Sequence, residues 1–168
     1  VSANDVKGGA TPGSDVNPGA LYKVPVIAPF PYVLSGTPLG IAEGVYQNYI
    51  DGMKARTANY TGARISELQN IQIKVAEAGA AIDAARLMMR ADCELSMQIA
   101  ERNEVPDIET KAKFRRNGAF TATLCVEAVN KLYQASGGGG IYTRNPLARA
   151  FSDIHAARAH IAFSMDVA

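Results

Sequence analysis

The sequence predicts an all-α chain, an antiparallel four-helix bundle preceded by an extended loop and strand-like segment. Three observations lead there. Composition changes sharply near residue 37, where a glycine- and proline-rich stretch gives way to helix formers. Beyond it, apolar residues recur at alternating spacings of three and four, the period of a buried helix face. Helix-starting and helix-stopping residues then cut 37–168 into four long segments with short connections, which favours antiparallel neighbours.

Residues 1–36 contain Gly8, Gly9, Gly13, Gly19 and Pro12, Pro18, Pro25, Pro29, Pro31. They are expected to form a linker with strand-like pieces at Tyr22–Ile27 and Tyr32–Leu34, and no helix, because proline removes a donor and fixes φ. The first helix is predicted to start at Thr37 as N-cap with Pro38 in the first helical position, and to run to about Ala58. Gly40 and Gly44 give it a small face suited to close packing. The second opens at Ser66, with Gln69 completing a capping box. Its seam is Leu68, Ile71, Val75, Ala78, Ile82, Ala85 and Met89, and it extends to about Arg102. After the turn Asn103 to Pro106, a third helix begins near Asp107 and ends at Ser136, before Gly137–Gly140. Asn145 caps the fourth, Pro146 begins it, and Leu147, Ala150, Ile154, Ala157 and Ile161 form its seam. That pattern stays in phase with no stop signal, so the chain is expected to be one piece of something larger.

Lys and Arg (17) balance Asp and Glu (16), with the signs interspersed, which disfavours a nucleic-acid partner. No apolar stretch reaches the roughly 18 residues of a membrane span, and no secretion signal opens the sequence. Cys93 and Cys125 lack CxxC or disulfide spacing and read as buried thiols of a reducing cytoplasm. No metal site is expected. There is no Glu-x-x-His pair, and His155 and His160 miss the i, i+4 spacing of a helical zinc site. A mid-helix cysteine without a nucleophile elbow does not support covalent catalysis. Asp83, Arg86, Arg90 and Asp92 read as a solvated helix face.

The chemistry-bearing stretch is Gln134 to Tyr142 and the helix after it, which holds both histidines of the chain. Four glycines after a helix can be a permissive stop and linker, or a loop whose backbone approaches a ligand. On a continuous fourth helix, Asp153 and His160 share one face, and His155 lies roughly 140° from His160. An imidazole at the edge of a bundle core suits general acid–base work, or is merely satisfied by a neighbouring helix.

Three motifs in order resemble the C-terminal domain of the acyl-CoA dehydrogenase fold. Thr61 to Gln72 resembles its F-G-x-x-[IL]-x-x-x-Q-x-[IL]-Q signature. Gln134 to Tyr142 resembles its Q-x-x-G-G-x-G-Y loop with one residue inserted, and Asn145 to Asp153 its P-x-x-R-x-x-R-D helix start. The resemblance covers roughly 37–168. It implies flavin contacts, to a flavin bound by a neighbouring subunit, for Gln69, Gln134, Gly137 and Gly138.

Two departures stand out. Ala58 occupies the place of an arginine that grips the FAD pyrophosphate. Ile161, preceded by His160, falls near the glutamate with which dehydrogenases abstract the substrate α-proton. The pattern is similar to the oxygenase branch, the flavin-dependent monooxygenases of two-component systems. That resemblance implies a separate flavin reductase supplying reduced FMN or FAD, O₂ as co-substrate, and hydroxylation of a phenolic or similar small substrate through a flavin C4a-hydroperoxide. It also implies His160 as the base that activates the phenol, with His155 as second choice, and Asp153 either orienting His160 or in a structural ion pair. By the same resemblance, 1–36 is the exit of a β domain, 37–168 the C-terminal bundle of a homotetramer, and N-terminal helical and middle β domains complete the enzyme. The alternatives are a conventional acyl-CoA dehydrogenase and a non-catalytic helical oligomerisation module.

Overall fold

The computed structural model describes residues 12–25, 30–53, 57, 62, 64–142 and 144–164. Its α-helices are α1 (Pro12–Val16), α2 (Phe30–Met53), α3 (Gln69–Glu101), α4 (Ile108–Ala135) and α5 (Pro146–Arg158). Turns of 3-10 helix lie at Ala20–Lys23, Ile65–Glu67, Gly137–Ile141 and Ile161–Phe163. Among the described residues there is no strand, only an isolated antiparallel bridge between Thr57 and Arg64. Helices α2 to α5 are the predicted bundle.

The bundle begins earlier than expected. Tyr32–Leu34 are helical, not strand-like, and α2 starts at Phe30 rather than Thr37. Pro31 sits in the first turn, where its missing N–H has no intrahelical acceptor to disappoint. Pro38 is inside the helix, where it deprives the Leu34 carbonyl of its donor at a cost of about 3 kcal/mol. Burial offsets that cost: Pro31, Tyr32, Ser35, Pro38 and Leu39 are all enclosed. Gly118 of α4 admits Pro31, since a Cβ there would lie 2.4 Å from the proline Cβ. In the predicted linker, α1 and the turn at Ala20–Lys23 are helical, while Val26 and Ile27 lie outside the described residues. Gly40 and Gly44 do not serve close packing within the chain; an added Cβ at either meets nothing within 4 Å.

Helix α3 does not form the predicted capping box. Ser66 lies in the preceding 3-10 turn, and the N-cap is Leu68, which makes no side-chain cap. Instead Gln72 donates from Nε2 to the Ser66 carbonyl at 2.9 Å. The predicted seam is buried at Ile71, Ala78, Ile82 and Ala85, with Leu68, Val75 and Met89 packed against it. Helix α4 starts where expected, with the Asp107 carboxylate accepting from Thr110 N–H at 2.8 Å, and Ser136 follows its end.

Cross-helix contacts set the directions. Gly118 meets Pro31, and the Tyr49 hydroxyl donates to Ala135 O at 3.0 Å, so α2 and α4 run parallel. Arg86 pairs with Glu43 at 2.6 Å and Lys131 with Glu77 at 2.6 Å, so α3 runs against both. Helix α5 runs against α4, with Arg158 bonded to Thr123 and His155 to Asn130. Leu39, Val45, Ile82, Val129, Leu132 and Ile154 lie in the shared core. Leu132 is fully enclosed, and truncating such a side chain to alanine costs about 2–5 kcal/mol.

One part of the predicted solvated face is interior. Asp83, Arg86 and Arg90 are exposed, but Asp92 is 1% exposed. Its Oδ2 accepts from the Tyr32 hydroxyl and from Asn117 Nδ2 at 2.8 Å, and Lys113 Nζ lies 3.5 Å from Oδ1. Burial, then the bond to Asp92, pushes the Tyr32 phenol well above its usual range. Cys125 is wholly buried and Cys93 half-buried, as thiols. Among the described residues no helix is long and apolar enough to cross a membrane, and no cluster of His, Cys, Asp and Glu could hold a metal ion.

Candidate functional site

Candidate site residues lie at both ends of α5. At its start the four glycines divide into two kinds. Gly140 is buried, and a Cβ there would lie 2.3 Å from Ser136 Oγ and 3.4 Å from the Tyr133 ring. It is a packing glycine that closes the loop onto the end of α4. Gly137 and Gly138 are exposed, and an added Cβ on either meets nothing within 4 Å. Gly137 has φ +61°, a left-handed conformation that L side chains rarely adopt. The loop is tied to α5 by Asn145, whose Nδ2 donates to Gly139 O at 2.9 Å while its Oδ1 accepts from Leu147 N–H at 3.0 Å. Two consecutive glycines therefore present bare backbone to whatever approaches. Gln134 is exposed beside them, its Oε1 accepting from Lys74 at 3.5 Å. Gln69 is exposed at the start of α3. Ala58, with the neighbouring Arg56, lies outside the described residues.

Along α5, His155 is bound to structure. Its Nε2 lies 3.1 Å from Asn130 Oδ1, and its ring packs on Phe151 at 4.6 Å, which in turn packs on Tyr133 at 4.3 Å. Asp153 has Arg149 Nε at 3.5 Å, one helical turn away, and so sits in the structural ion pair.

His160 is not on the helix. Helix α5 ends at Arg158, and His160, with φ −65° and ψ 138°, is the extended N-cap of the turn Ile161–Phe163. Its shared face with Asp153, which required a continuous helix, does not exist. Ile161, predicted in the apolar seam, is 65% exposed, whereas Ala162 and Phe163 are buried in its stead. The His160 ring is exposed and fixed from one side, with Nδ1 accepting from Ala162 N–H at 3.1 Å. An Nδ1 that accepts leaves the proton of a neutral ring on Nε2.

Arg115 of α4 holds this turn. Its guanidinium donates to Ala162 O at 2.7 Å, Ile161 O at 3.0 Å and Ser164 O at 3.2 Å. Nothing in the local sequence marks it, because the contact spans the distance from the start of α4 to the end of α5.

The structure thus brings the predicted residues together in two groups, Gln134 with Gly137 and Gly138 at one end of α5 and His160 at the other. The 13 residues of α5 separate them by about 20 Å. A groove of about 770 Å³ runs between α2 and α5, lined by Gly40, Gly44, Tyr49, Gly139, Asn145 and Asp153 among others, and neither histidine lines it.

Residues 32–165 match the family model described as acyl-CoA dehydrogenase, C-terminal domain. The chain is 29% identical to the oxygenase component of FADH(2)-dependent resorcinol hydroxylase of Rhizobium sp. (strain MTP-10005), over 96% of this chain and 42% of that protein. It is 28% identical to the oxygenase component of p-hydroxyphenylacetate 3-hydroxylase of Acinetobacter baumannii, over 98% of this chain and 39% of that one. The chain therefore spans about two fifths of the length of these relatives. Among solved structures, 3-HSA hydroxylase from Rhodococcus sp. RHA1 superposes with a TM-score of 0.82 at 24% identity, covering 93% of this chain and 40% of that one. XiaF from Streptomyces sp., in complex with FADH2 and glycerol, superposes at 0.85 and 17% identity, covering 99% and 40%. With the bundle, the glycine loop and the family match agreeing over the same residues, the chain belongs to the acyl-CoA dehydrogenase C-terminal domain family.

Proposed function

We propose that this chain is the C-terminal part of the oxygenase component of a two-component flavin monooxygenase that hydroxylates a phenolic or similar aromatic substrate. The relatives named as hydroxylases align over nearly all of it. The observation that carries the reading is the exposed His160 ring, anchored at Nδ1, directly before Ile161, which falls near the place of the dehydrogenase glutamate.

Reduced flavin, when bound, supplies two electrons to O₂, so that one oxygen atom enters the substrate ring and the other leaves as water. The residues present fit such a group, since Gly137 and Gly138 offer bare backbone and Gln134 and Gln69 exposed amides to an anionic cofactor. His160 handles the phenolic proton. An aromatic ring is most reactive toward electrophilic oxygen once its hydroxyl is ionised. In the capped tautomer, Nε2–H donates to the phenolate oxygen and holds it; in the tautomer with Nε2 bare, the ring takes the phenolic proton as general base. Moving between them exchanges the cap from Ala162. His155 ranks second, because Asn130 and Phe151 already engage it.

The separation along α5 supports a shared architecture. The glycine loop meets a neighbouring subunit's flavin while His160 serves another centre, within a homotetramer fed by a flavin reductase and completed by N-terminal helical and middle β domains. Residues 1–36 are then the approach from the β domain, with the bundle as the C-terminal domain.

The test uses the intact enzyme that contains this chain. Reduced FMN or FAD, O₂ and candidate phenols are supplied, and hydroxylated product is measured against hydrogen peroxide released. Coupled hydroxylation in wild type and peroxide without product in His160→Ala are expected. Oxidation of an acyl-CoA thioester with no oxygen incorporated into any phenol would overturn the reading in favour of a dehydrogenase.

A further inference from the structure

We propose that Arg115 is a positioning residue of the His160 centre: through three main-chain carbonyls it holds the turn that sets the ring's place and the nitrogen it presents. The inference rests on the reading of His160 given above.

The peptide between Ile161 and Ala162 links the two residues. Its N–H, on Ala162, goes to His160 Nδ1, and its carbonyl, on Ile161, accepts from Arg115 at 3.0 Å. The guanidinium is thus one peptide unit away from the imidazole, and it also reaches two carbonyls further along the turn, of Ala162 and Ser164. All these hydrogen bonds go to backbone, and no carboxylate shares the guanidinium among its described partners. A planar fork with donors in fixed directions can satisfy three carbonyls at once, whereas an ammonium is a point charge that cannot copy the pattern. The turn needs such a hold because it is not part of α5. His160 and Ile161 are exposed, and the buried anchors are Ala162 and Phe163. Phe163 fixes where the turn touches the bundle. Arg115's hold on the Ile161 carbonyl fixes how the Ile161–Ala162 peptide is oriented, and hence where the Ala162 N–H points. If that peptide rotates, Nδ1 loses its anchor and the Nε2 position wanders. Reactions that depend on one well-placed group lose up to about a hundredfold when it is displaced by an ångström.

The experiment compares Arg115→Gln, Arg115→Lys and His160→Asn in the intact enzyme, supplied with reduced flavin, O₂ and a phenol that wild type hydroxylates. For Arg115→Gln, kcat for hydroxylated product is expected to fall about tenfold or more with KM for the phenol little changed, and peroxide release to take up the difference. Arg115→Lys, which keeps one charged donor, recovers part of the coupling. A merely structural arginine would lower the amount of folded enzyme without moving the ratio of product to peroxide. Wild-type coupling in Arg115→Gln while His160→Asn is uncoupled would overturn the positioning role alone. Full coupling in His160→Asn would remove the reading of His160 and this inference with it. Should Arg115→Gln fail to fold, Arg115→Lys decides by the same ratio: intermediate coupling supports the role and wild-type coupling overturns it.

Discussion

Tyr32, in the first turn of α2, donates its hydroxyl to the carboxylate of Asp92, on α3, in the interior of the bundle. With Asn117 donating to the same oxygen, one carboxylate joins three helices. Tyr32→Phe deletes one of those donors and leaves a buried acceptor undersupplied, so it should destabilise the domain by about 1–3 kcal/mol. Asp92→Ala should cost more, because Tyr32 and Asn117 then both lose their acceptor. Urea midpoints measure the order; Tyr32→Phe as stable as wild type would show the node to be idle.

Asn145 joins the glycine loop to α5 by capping the helix with Oδ1 and holding Gly139 with Nδ2. Asn145→Ala is expected to lose about 1 kcal/mol from the cap alone. Asn145→Asp keeps the acceptor and should retain most of it while releasing the loop, a difference visible in amide exchange at Gly139 and Gly140.

The glycines offer a paired test. Gly140→Ala places a Cβ 2.3 Å from Ser136 Oγ and should destabilise by about 1–3 kcal/mol. Gly138→Ala meets open space and should leave the melting temperature unchanged. If its backbone approaches flavin, Gly138→Ala weakens flavin binding by about tenfold, roughly 1.4 kcal/mol. Unchanged flavin affinity in the intact Gly138→Ala enzyme would return the loop to a simple helix stop.

Burial raises the Cys125 thiol from its ordinary 9.0 to about 12. The unfolded chain therefore releases this proton first, and the stabilisation is complete below pH 9 and drains away as the pH climbs toward 12. Between pH 8 and pH 10, wild type should lose more stability than Cys125→Ala in urea titrations. Parallel losses would mean that the thiol does not report on folding.

Local signals were legible at the starts of α4 and α5 and along the α3 seam, but not at the start of α3, where Ser66 lies in the preceding 3-10 turn instead of capping the helix. Asn145 with Pro146, Asp107, and the seam from Ile71 to Ala85 all stand where sequence spacing puts them. The failures lie where distant residues decide. Thr37–Pro38 looks like a helix start, but the packing of Pro31 against Gly118 extends α2 back to Phe30 and makes Pro38 an interior residue. Asp92 reads as surface because its partners come from α2 and α4. No glycine or proline announces the end of α5 at Arg158. Past the break Arg115 bonds the turn and Phe163 is buried, neither visible in the apolar period that carried the helix on through His160. Of the candidate residues, Gln134, Gly137 and Gly138 stand exposed, as a glycine-rich run after a helix suggests, whereas the conformation of His160 was not legible.

The distance between the two ends of α5 has a genetic consequence. Lesions in the glycine loop and lesions at His160 damage different catalytic centres if each bundle lends its loop to a neighbour. Subunits carrying Gly138→Ala and subunits carrying His160→Ala, each impaired in pure form, should then restore one another when co-assembled. A mixed oligomer contains centres in which an intact loop from one parent faces an intact histidine from the other. Recovery of hydroxylation on co-expression, with its yield set by random mixing, is the signature of a site divided between chains; two variants failing in the same centre would show none.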